Sequence, residues 1–285
     1  MKTIKFDNMP GNYVTYFSGD VHIGTVAMSK TSIHNLVHVV KSVKNGYITF
    51  GGDQLESITV DDRRYSLDNT RGMNVRIDKQ RDDFINMFDS LTGKVLWIMD
   101  GNHELRWGNV FRPNNDIAKK LGAEYANGVM IKAIFPQFRI LDWHGAGSIT
   151  SRAGDALQRK TNEMISLKRK LRLLGGSDDC EVVMMHHIHR IIVHPPMEVL
   201  HLVSNADKLK LTQSYTVPSR ISIDEKLYRI PEEEKWYVSS GSLLRGYMEG
   251  YSTYVEQAGY APAELGCIKI TVKNDKLYKV EKYYL

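Results

Sequence analysis

Acidic residues, histidines and one asparagine that could bind metal ions follow short apolar segments of this 285-residue sequence. The set consists of Asp20, His22, Asp53, Asn102, His144, His187 and His189. Carboxylate and amide oxygens with imidazole nitrogens, and no cysteine, suit manganese, iron, zinc or nickel rather than a closed thiolate site. Side chains at i and i+2 of an extended chain point the same way, so Asp20 and His22 can reach one ion. Seven ligands exceed the need of one four-coordinate ion, which indicates two ions that a carboxylate such as Asp53 can bridge.

The elements that must position these residues alternate between strand and helix. Short β-rich segments predict strands, and apolar residues at helical spacing predict helices. The predicted strands cover 14–17, 47–50, 95–99, 129–135, 138–141 and 181–185, and the predicted helices cover 29–43, 79–91 and 155–174. Because the carboxyl ends of strands in an open α/β sheet meet at one crevice, we expect the seven side chains to converge.

The remaining segments and the composition bound the class of protein. Residues 60–78 are polar and predict a loop or insertion, and the chain from about residue 190 predicts a β-rich C-terminal part. No linker or repeat is evident, so we expect a single domain over residues 1–285. With 42% hydrophobic and 25% charged residues and a net charge of +5, a disordered chain is excluded.

Location follows from what the sequence lacks. Cys180 and Cys267 are expected to be free thiols in a reducing compartment. We see neither a signal peptide at the N-terminus nor an apolar run of about 20 residues that could span a bilayer. A soluble, cytoplasmic protein without a membrane partner is the expectation.

The motifs at the strand ends resemble those of the calcineurin-like metallophosphoesterases. That family carries D-x-H, G-D, G-N-H-[DE], a lone His and G-H-x-H in this order. Here they correspond to Gly19–His22, Gly52-Asp53, Gly101–Glu104, His144 and His187–His189. The match spans about residues 14–190, and residues 240–266 resemble the C-terminal part of phage-encoded members, which would place the protein in a host cytoplasm.

The resemblance implies a fold and a reaction. The fold is a four-layer αββα sandwich of two mixed sheets flanked by helices. The reaction is hydrolysis of phosphate esters by hydroxide bound at a centre of two divalent ions, with manganese favoured and iron, zinc or nickel as alternatives. In the family's roles, Asp20, His22 and His189 hold the first ion and Asn102, His144 and His187 the second, while Asp53 bridges them. His103 contacts the substrate and protonates the leaving oxygen.

Two residues near these motifs keep more than one interpretation. His186 stands where the family has glycine, and with His187 it also resembles the family's lone-His motif; we reject that assignment because no later H-x-H pair exists, and the role of His186 stays open. Glu56 is either a catalytic-site partner of His103 or an ordinary exposed glutamate of a loop.

The substrate class stays open between three hypotheses. Protein phosphatases of the family have arginines after G-D and before G-N-H-E, and this sequence has neither, although Arg106 or Arg245 could compensate. A phosphodiester carries one charge and needs less help than a phosphomonoester. We therefore expect a phosphodiesterase or nuclease; the alternatives are a phosphomonoesterase and a non-catalytic scaffold. Oligomeric state is not predicted.

Basic and aromatic residues are compatible with DNA, RNA or a nucleotide as the partner. The basic residues are Arg159, Lys160, Lys168, Arg169, Lys170 and Arg172 on one predicted helix, and Arg63, Arg64 and Arg71 in the insertion; the tyrosines are Tyr247, Tyr251, Tyr254 and Tyr260. A solvated helix face and core or edge tyrosines are the alternative interpretations.

Overall fold

The computed structural model of the chain describes residues 1–62, 65, 67–70, 72–108, 111–197, 200–205, 210–214, 221–224 and 227–285. The side chains of 201–228 and of Tyr254 are outside what is described. Arg63, Arg64 and Arg71 of the predicted insertion also lie outside the described residues.

Six helices and sixteen strands lie within these ranges. The helices are α1 (Lys30–Ser42), α2 (Leu67–Thr70), α3 (Ile77–Phe88), α4 (Pro113–Leu121), α5 (Ala156–Leu171) and α6 (Tyr254–Gln257). The strands are β1 (Lys2–Lys5), β2 (Tyr13–Ser18), β3 (Gly46–Phe50), β4 (Val95–Ile98), β5 (Glu124–Tyr125), β6 (Met130–Ile134), β7 (Arg139–Trp143), β8 (Val182–Met185), β9 (Ile192–His194), β10 (His201–Asn205), β11 (Lys210–Ser214), β12 (Ile221–Asp224), β13 (Leu227–Arg229), β14 (Trp236–Ser239), β15 (Gly266–Lys273) and β16 (Lys276–Tyr284).

Twelve of the strands form two mixed sheets. Sheet I has the order β1-β6-β7-β8-β14-β9, and sheet II has the order β16-β15-β2-β3-β4-β5. In sheet II, β2 to β5 are parallel, β15 pairs antiparallel with β2, and β16 pairs antiparallel with β15. The hairpins β10-β11 and β12-β13 are separate from both sheets.

Three hydrophobic clusters show how the layers stack. Alternate residues of a strand point to opposite faces, and in β8 Val182 and Met184 join a cluster between the sheets, while Val183 and Met185 pack with Leu167 of α5. A third cluster lies between sheet II and the helices α1, α3 and α4. The layers are therefore helices, sheet II, sheet I and helix, and the predicted αββα sandwich of two mixed sheets is confirmed.

Local sequence signals explain where several helices begin and end. Ser29 caps α1 by accepting a hydrogen bond from the Ser32 N–H (3.3 Å). Pro113 occupies the start of α4, and Gly122 ends it with a φ of +68°. Neither α4 nor β1 was predicted from the sequence, although this proline and glycine were a usable signal for α4.

Most of the predicted elements are present in the structure. The predicted strands and the helices α1, α3 and α5 are present, and the C-terminal part is β-rich. The segment 60–78 contains the short helix α2 and the start of α3. Cys180 and Cys267 are both free and buried, as expected. None of the helices that the structure describes has the length and apolar character needed to cross a membrane.

Candidate metal centre

The structure brings the seven predicted ligands together where strands of both sheets end. They follow β2 (Asp20 and His22), β3 (Asp53), β4 (Asn102), β7 (His144) and β8 (His187 and His189). The first three of these strands belong to sheet II and the last two to sheet I. The crevice is thus formed between two sheets, and not at the edge of a single open sheet.

The main chain is strained at most of these positions. Among the described residues, nine other than glycine have a positive φ, and five of them are predicted ligands: Asp20 (51°), His22 (54°), Asp53 (53°), His187 (71°) and His189 (53°). A left-handed conformation of this kind is sparsely populated and costs about 1–3 kcal/mol where the surroundings enforce it. Hydrogen bonds between the loops hold it, since Asp20 N–H donates to the Gly52 carbonyl (2.9 Å) and His22 N–H to the Asp53 carbonyl (3.0 Å).

The predicted ligands fall into two of the three groups of described side chains that could hold an ion, and the third group joins His22 to Glu56 and His103. Asp20, His22 and His189 form the first group, and ligand atoms within it lie within 4.8 Å of one another. Asp53, His144 and His187 form the second group under the same limit. Asn102 adjoins the second group, because its Oδ1 lies 3.1 Å from His144 Nε2.

Imidazole orientation fits metal binding. Glu56 Oε2 lies 2.8 Å from His22 Nδ1, while the buried Nε2 of His22 has no hydrogen-bond partner in the described part of the chain. Likewise, the Gly51 carbonyl lies 2.8 Å from His144 Nδ1, and His144 Nε2 lies 3.3 Å from Asp53 Oδ2. A histidine that is fixed through one nitrogen and presents the other to a carboxylate has the arrangement of a metal ligand with its outer-shell partner. The residues present therefore fit a divalent ion.

Charges in the site shift several pKa values. Burial opposes ionisation of Asp53, but His144, His103 and His22 outweigh it and hold the pKa of Asp53 well below its usual range. Burial would lower the pKa of His144, yet Asp53 and Asp20 raise it to about 10. Glu56 does the same for His22, raising its pKa to about 9 against the effect of burial. With these pKa values, the rings of His144 and His22 are positively charged in the metal-free protein at neutral pH. A metal ion must displace one proton from each ring, so the affinity for the ion rises with pH.

His103 lies beside the two groups and is held by both loops. Its backbone N–H donates to Asp53 Oδ1 (2.9 Å), its Nδ1 is hydrogen-bonded to the Glu56 carbonyl, and its Nε2 lies 4.0 Å from Asp53 Oδ2. Burial lowers the pKa of His103, with Asp53 and Glu56 opposing the shift. Because a carbonyl oxygen only accepts, Nδ1 carries a proton and Nε2 is the nitrogen available to a substrate.

Glu56 is one of the most buried acidic residues of the site, with 1% of its surface exposed. The interpretation of Glu56 as an ordinary exposed loop residue is therefore wrong. Its carboxylate orients His22, and its main-chain carbonyl contacts His103. The predicted partnership with His103 thus has a main-chain component, and the carboxylate has a further partner that the sequence did not indicate.

Glu104 was not singled out as a site residue, but it joins the loops that carry Asp53 and Asn102. Its carboxylate accepts hydrogen bonds from the backbone N–H groups of Asp53 (3.1 Å), Leu55 (2.9 Å) and Gly101 (2.8 Å). Burial and the nearby Asp53 raise the pKa of Glu104 to about 8. Glycine is required at 101, since a Cβ there would lie 2.0 Å from Asp53 Oδ1. The signal for Glu104 was its place in the Gly101–Glu104 motif.

His186 is a buried packing residue behind the ligands, which answers the question left open by the sequence. Its Nε2 lies 3.0 Å from Asp142 Oδ1, and Asp142 Oδ2 accepts from Trp97 Nε1 (3.1 Å). All three residues are 0% exposed. Trp97 belongs to sheet II and Asp142 to sheet I, so this chain of hydrogen bonds joins the sheets. The ring of His186 fills the space over Gly51, where a Cβ would lie 2.0 Å from Nε2.

Replacing His186 with alanine should destabilise the protein. The substitution removes a partner of the buried Asp142 and opens a cavity, and we expect the free energy of unfolding to fall by about 3 kcal/mol. Urea unfolding of the metal-free protein measures the change. His38→Ala, at an exposed position of α1, is the control and should shift the value by less than about 0.5 kcal/mol. Equal midpoints for His186→Ala and His38→Ala would contradict the bridging role.

Vps29 and YfcE are among the solved structures to which this chain is similar. Vps29 from Chaetomium thermophilum is 12% identical with a TM-score of 0.41, and the match covers 95% of this chain and 97% of that one. YfcE, a phosphoesterase from E. coli, is 12% identical with a TM-score of 0.40, and the match covers 94% and 98% of the two chains. No family model and no curated protein matches the sequence. The chemistry of this chain is therefore argued from the side chains of the candidate metal centre.

Proposed function

We propose that the chain is a metallophosphoesterase with a dinuclear metal centre that hydrolyses phosphodiesters of nucleotides or nucleic acid. The observation that carries this proposal is the pair of ligand groups Asp20/His22/His189 and Asp53/His144/His187. Asp53 Oδ2 lies 3.3 Å from His144 Nε2 of one group and 4.0 Å from His22 Nε2 of the other, which supports it as the shared carboxylate. Manganese is the favoured ion, with iron, zinc or nickel as alternatives.

In this proposal the residues of the chain hold the ions, orient the ligands and protonate the leaving oxygen. Bound divalent ions supply Lewis acidity and a nucleophilic water at neutral pH. Asp20, His22 and His189 would hold one ion, and Asn102, His144 and His187 the other. Glu56 keeps His22 in its orientation. His103 Nε2 would give a proton to the leaving oxygen from the doubly protonated ring, because Nδ1 keeps its own proton on the Glu56 carbonyl. Burial lowers the pKa of His103, so this donor form loses population as the pH rises.

The arginines around the site favour a diester over a monoester dianion. The cavity in front of the ligands has a volume of about 480 Å³, and Arg190 is the arginine among its described lining residues. Arg190 contacts Glu163 (3.2 Å) and Glu264 (3.4 Å), so its charge is already balanced. Arg106 pairs with Asp62, and Arg245 is exposed and does not line the cavity. Arg106 and Arg245 therefore do not replace the two arginines that the protein phosphatases of the family have and this sequence lacks.

Hydrolysis of bis(p-nitrophenyl) phosphate and p-nitrophenyl phosphate tests the proposal. The metal-free protein, and the protein loaded with Mn²⁺, Ni²⁺ or Zn²⁺, are assayed beside an Asp20→Asn variant that controls for contaminating phosphatases. We expect metal-dependent turnover with the diester preferred. A preference for the monoester would replace phosphodiesterase with phosphomonoesterase, and no turnover with any ion would favour a non-catalytic scaffold.

A further inference from the structure

Two segments with little charge line the same cavity as the predicted ligands. Gly147, Ser148, Ile149 and Thr150 form the first set, and they follow His144 in the chain. The second set consists of Val255, Tyr260, Ala261, Pro262 and Ala263. We call this second set the 255–263 wall. The predicted ligands His22, Asp53 and His189 line the same cavity.

The 255–263 wall is fixed to the metal centre through the main chain. Tyr260 N–H donates to the Val255 carbonyl (3.0 Å), and the Tyr247 hydroxyl donates to the Tyr260 carbonyl (2.5 Å). At the end of the wall, Glu264 N–H donates to the carbonyl of His189 (2.9 Å). The Glu264 carboxylate also accepts from the Ile191 N–H (2.6 Å). A group held on this wall would therefore be placed in a defined position relative to the ion at His189.

The chemistry of these two sets points to a flat, uncharged group. Among the described lining residues, Arg190 is the only one with a fixed positive charge, and Glu163 and Glu264 balance it. The cavity therefore offers little to a second phosphate away from the ligands. Val255, Pro262 and Ile149 are apolar. Tyr260 is 60% exposed, so its ring is accessible to a ligand. Aromatic rings bind nucleobases by stacking in a manner that tolerates every base.

We infer that the 255–263 wall binds the base of a nucleotide whose phosphorus lies at the metal centre, with Tyr260 as the main contact. This inference rests on the proposed function, because the phosphoryl group must lie at the predicted ligands. The volume of about 480 Å³ agrees with the scale of roughly 300–1,000 Å³ for small-molecule sites. Of the four tyrosines that the sequence analysis named, Tyr260 is the one found among the described lining residues.

The test is binding of adenosine 5′-monophosphate and ribose 5-phosphate to the Mn²⁺-loaded protein, measured by calorimetry. The two ligands share the phosphate and the sugar, so their difference isolates the base. We expect the base to improve affinity about tenfold in the natural protein, in line with stacking on one aromatic side chain. Tyr260→Ala should lose that tenfold while binding ribose 5-phosphate unchanged, and Tyr260→Phe should keep it.

Tyr278→Ala is the matched control, because Tyr278 is 64% exposed on β16 and is not a lining residue. Equal affinity for the two ligands in the natural protein, absence of nucleotide binding, or equal behaviour of Tyr260→Ala and Tyr278→Ala would each overturn the inference. Failure of the proposed function is distinguishable, since it appears as absent hydrolysis of bis(p-nitrophenyl) phosphate whatever the base preference. If the protein hydrolyses the diester but binds the two ligands equally well, the proposed function stands and base binding by the 255–263 wall is refuted.

Discussion

Asp53→Asn is expected to lose bound metal and phosphoesterase activity together. The Asp53 carboxylate is 2% exposed, and its Oδ2 faces His144 Nε2 at 3.3 Å and the Nε2 atoms of His22 and His103 at 4.0 Å. An amide at this place removes the negative charge that both ligand groups share. Loss of an outer-shell partner alone lowers metal affinity by about 10–100-fold, so loss of a shared ligand should exceed about 100-fold.

The same substitution leaves the backbone requirement satisfied. Asp53 has a φ of +53°, and asparagine adopts this left-handed conformation more readily than other residues. The asparagine Oδ1 can still accept the hydrogen bond from the His103 N–H. Any loss therefore reports the missing charge and not an altered loop.

Elemental analysis after dialysis gives the number of ions per chain, and diester hydrolysis gives the activity. Asp78→Asn, at a position where the side chain is 39% exposed and pairs with Arg76, is the matched control and should keep both. Full metal occupancy in Asp53→Asn would refute the bridging assignment, even if activity were lost.

The sequence predicted the residues of this centre whose place follows from the end of a strand. It did not predict the roles that depend on a contact with a residue far away in the chain. Asp20, His22, Asp53 and His144 follow apolar strands, and strand direction alone places them at one end of the sheets. Two mixed sheets were implied by the resemblance alone. The residues themselves did not show that β7 and β8 lie in a different sheet from β2 and β3, because the pairing of β7 with β8 joins segments that are some 40 residues apart, as the hydrogen-bonded pair Arg139 and Glu181 illustrates.

Glu56 and His186 show what sequence reasoning could not reach. Which nitrogen Glu56 orients depends on how the loop after β3 lies against the loop after β2, and a 34-residue separation hides that contact. His186 is hydrogen-bonded to Asp142 of sheet I, which in turn accepts from Trp97 of sheet II, so this chain of contacts exists only once the sheets are stacked. Helix α4 was missed for a different reason: its apolar positions are few, although Pro113 and Gly122 marked its ends.

His103→Ala should keep the metal and lose most of the turnover. His103 belongs to neither of the groups that pair Asp20 with His189 and Asp53 with His187, and it shares a third group only with His22 and Glu56. Its Nδ1 is hydrogen-bonded to the Glu56 carbonyl, and alanine retains the N–H that donates to Asp53 Oδ1. General-acid help from a positioned histidine contributes about 10²–10⁴-fold, and the variant should be slower by that factor when the leaving group is a sugar hydroxyl.

The choice of leaving group separates proton donation from mere packing. The p-nitrophenolate anion is stable and leaves without a proton, so His103→Ala should slow bis(p-nitrophenyl) phosphate much less than a dinucleotide such as dTpdT. A packing defect would slow both substrates equally. His38→Ala, on the exposed face of α1, controls for the loss of a histidine. A near-normal rate on dTpdT would refute the role of His103 as the acid, because the proton would then have to come from another group of the cavity. Loss of metal in His103→Ala, measured by elemental analysis, would also contradict this role, because the slower rate would then report the missing ion.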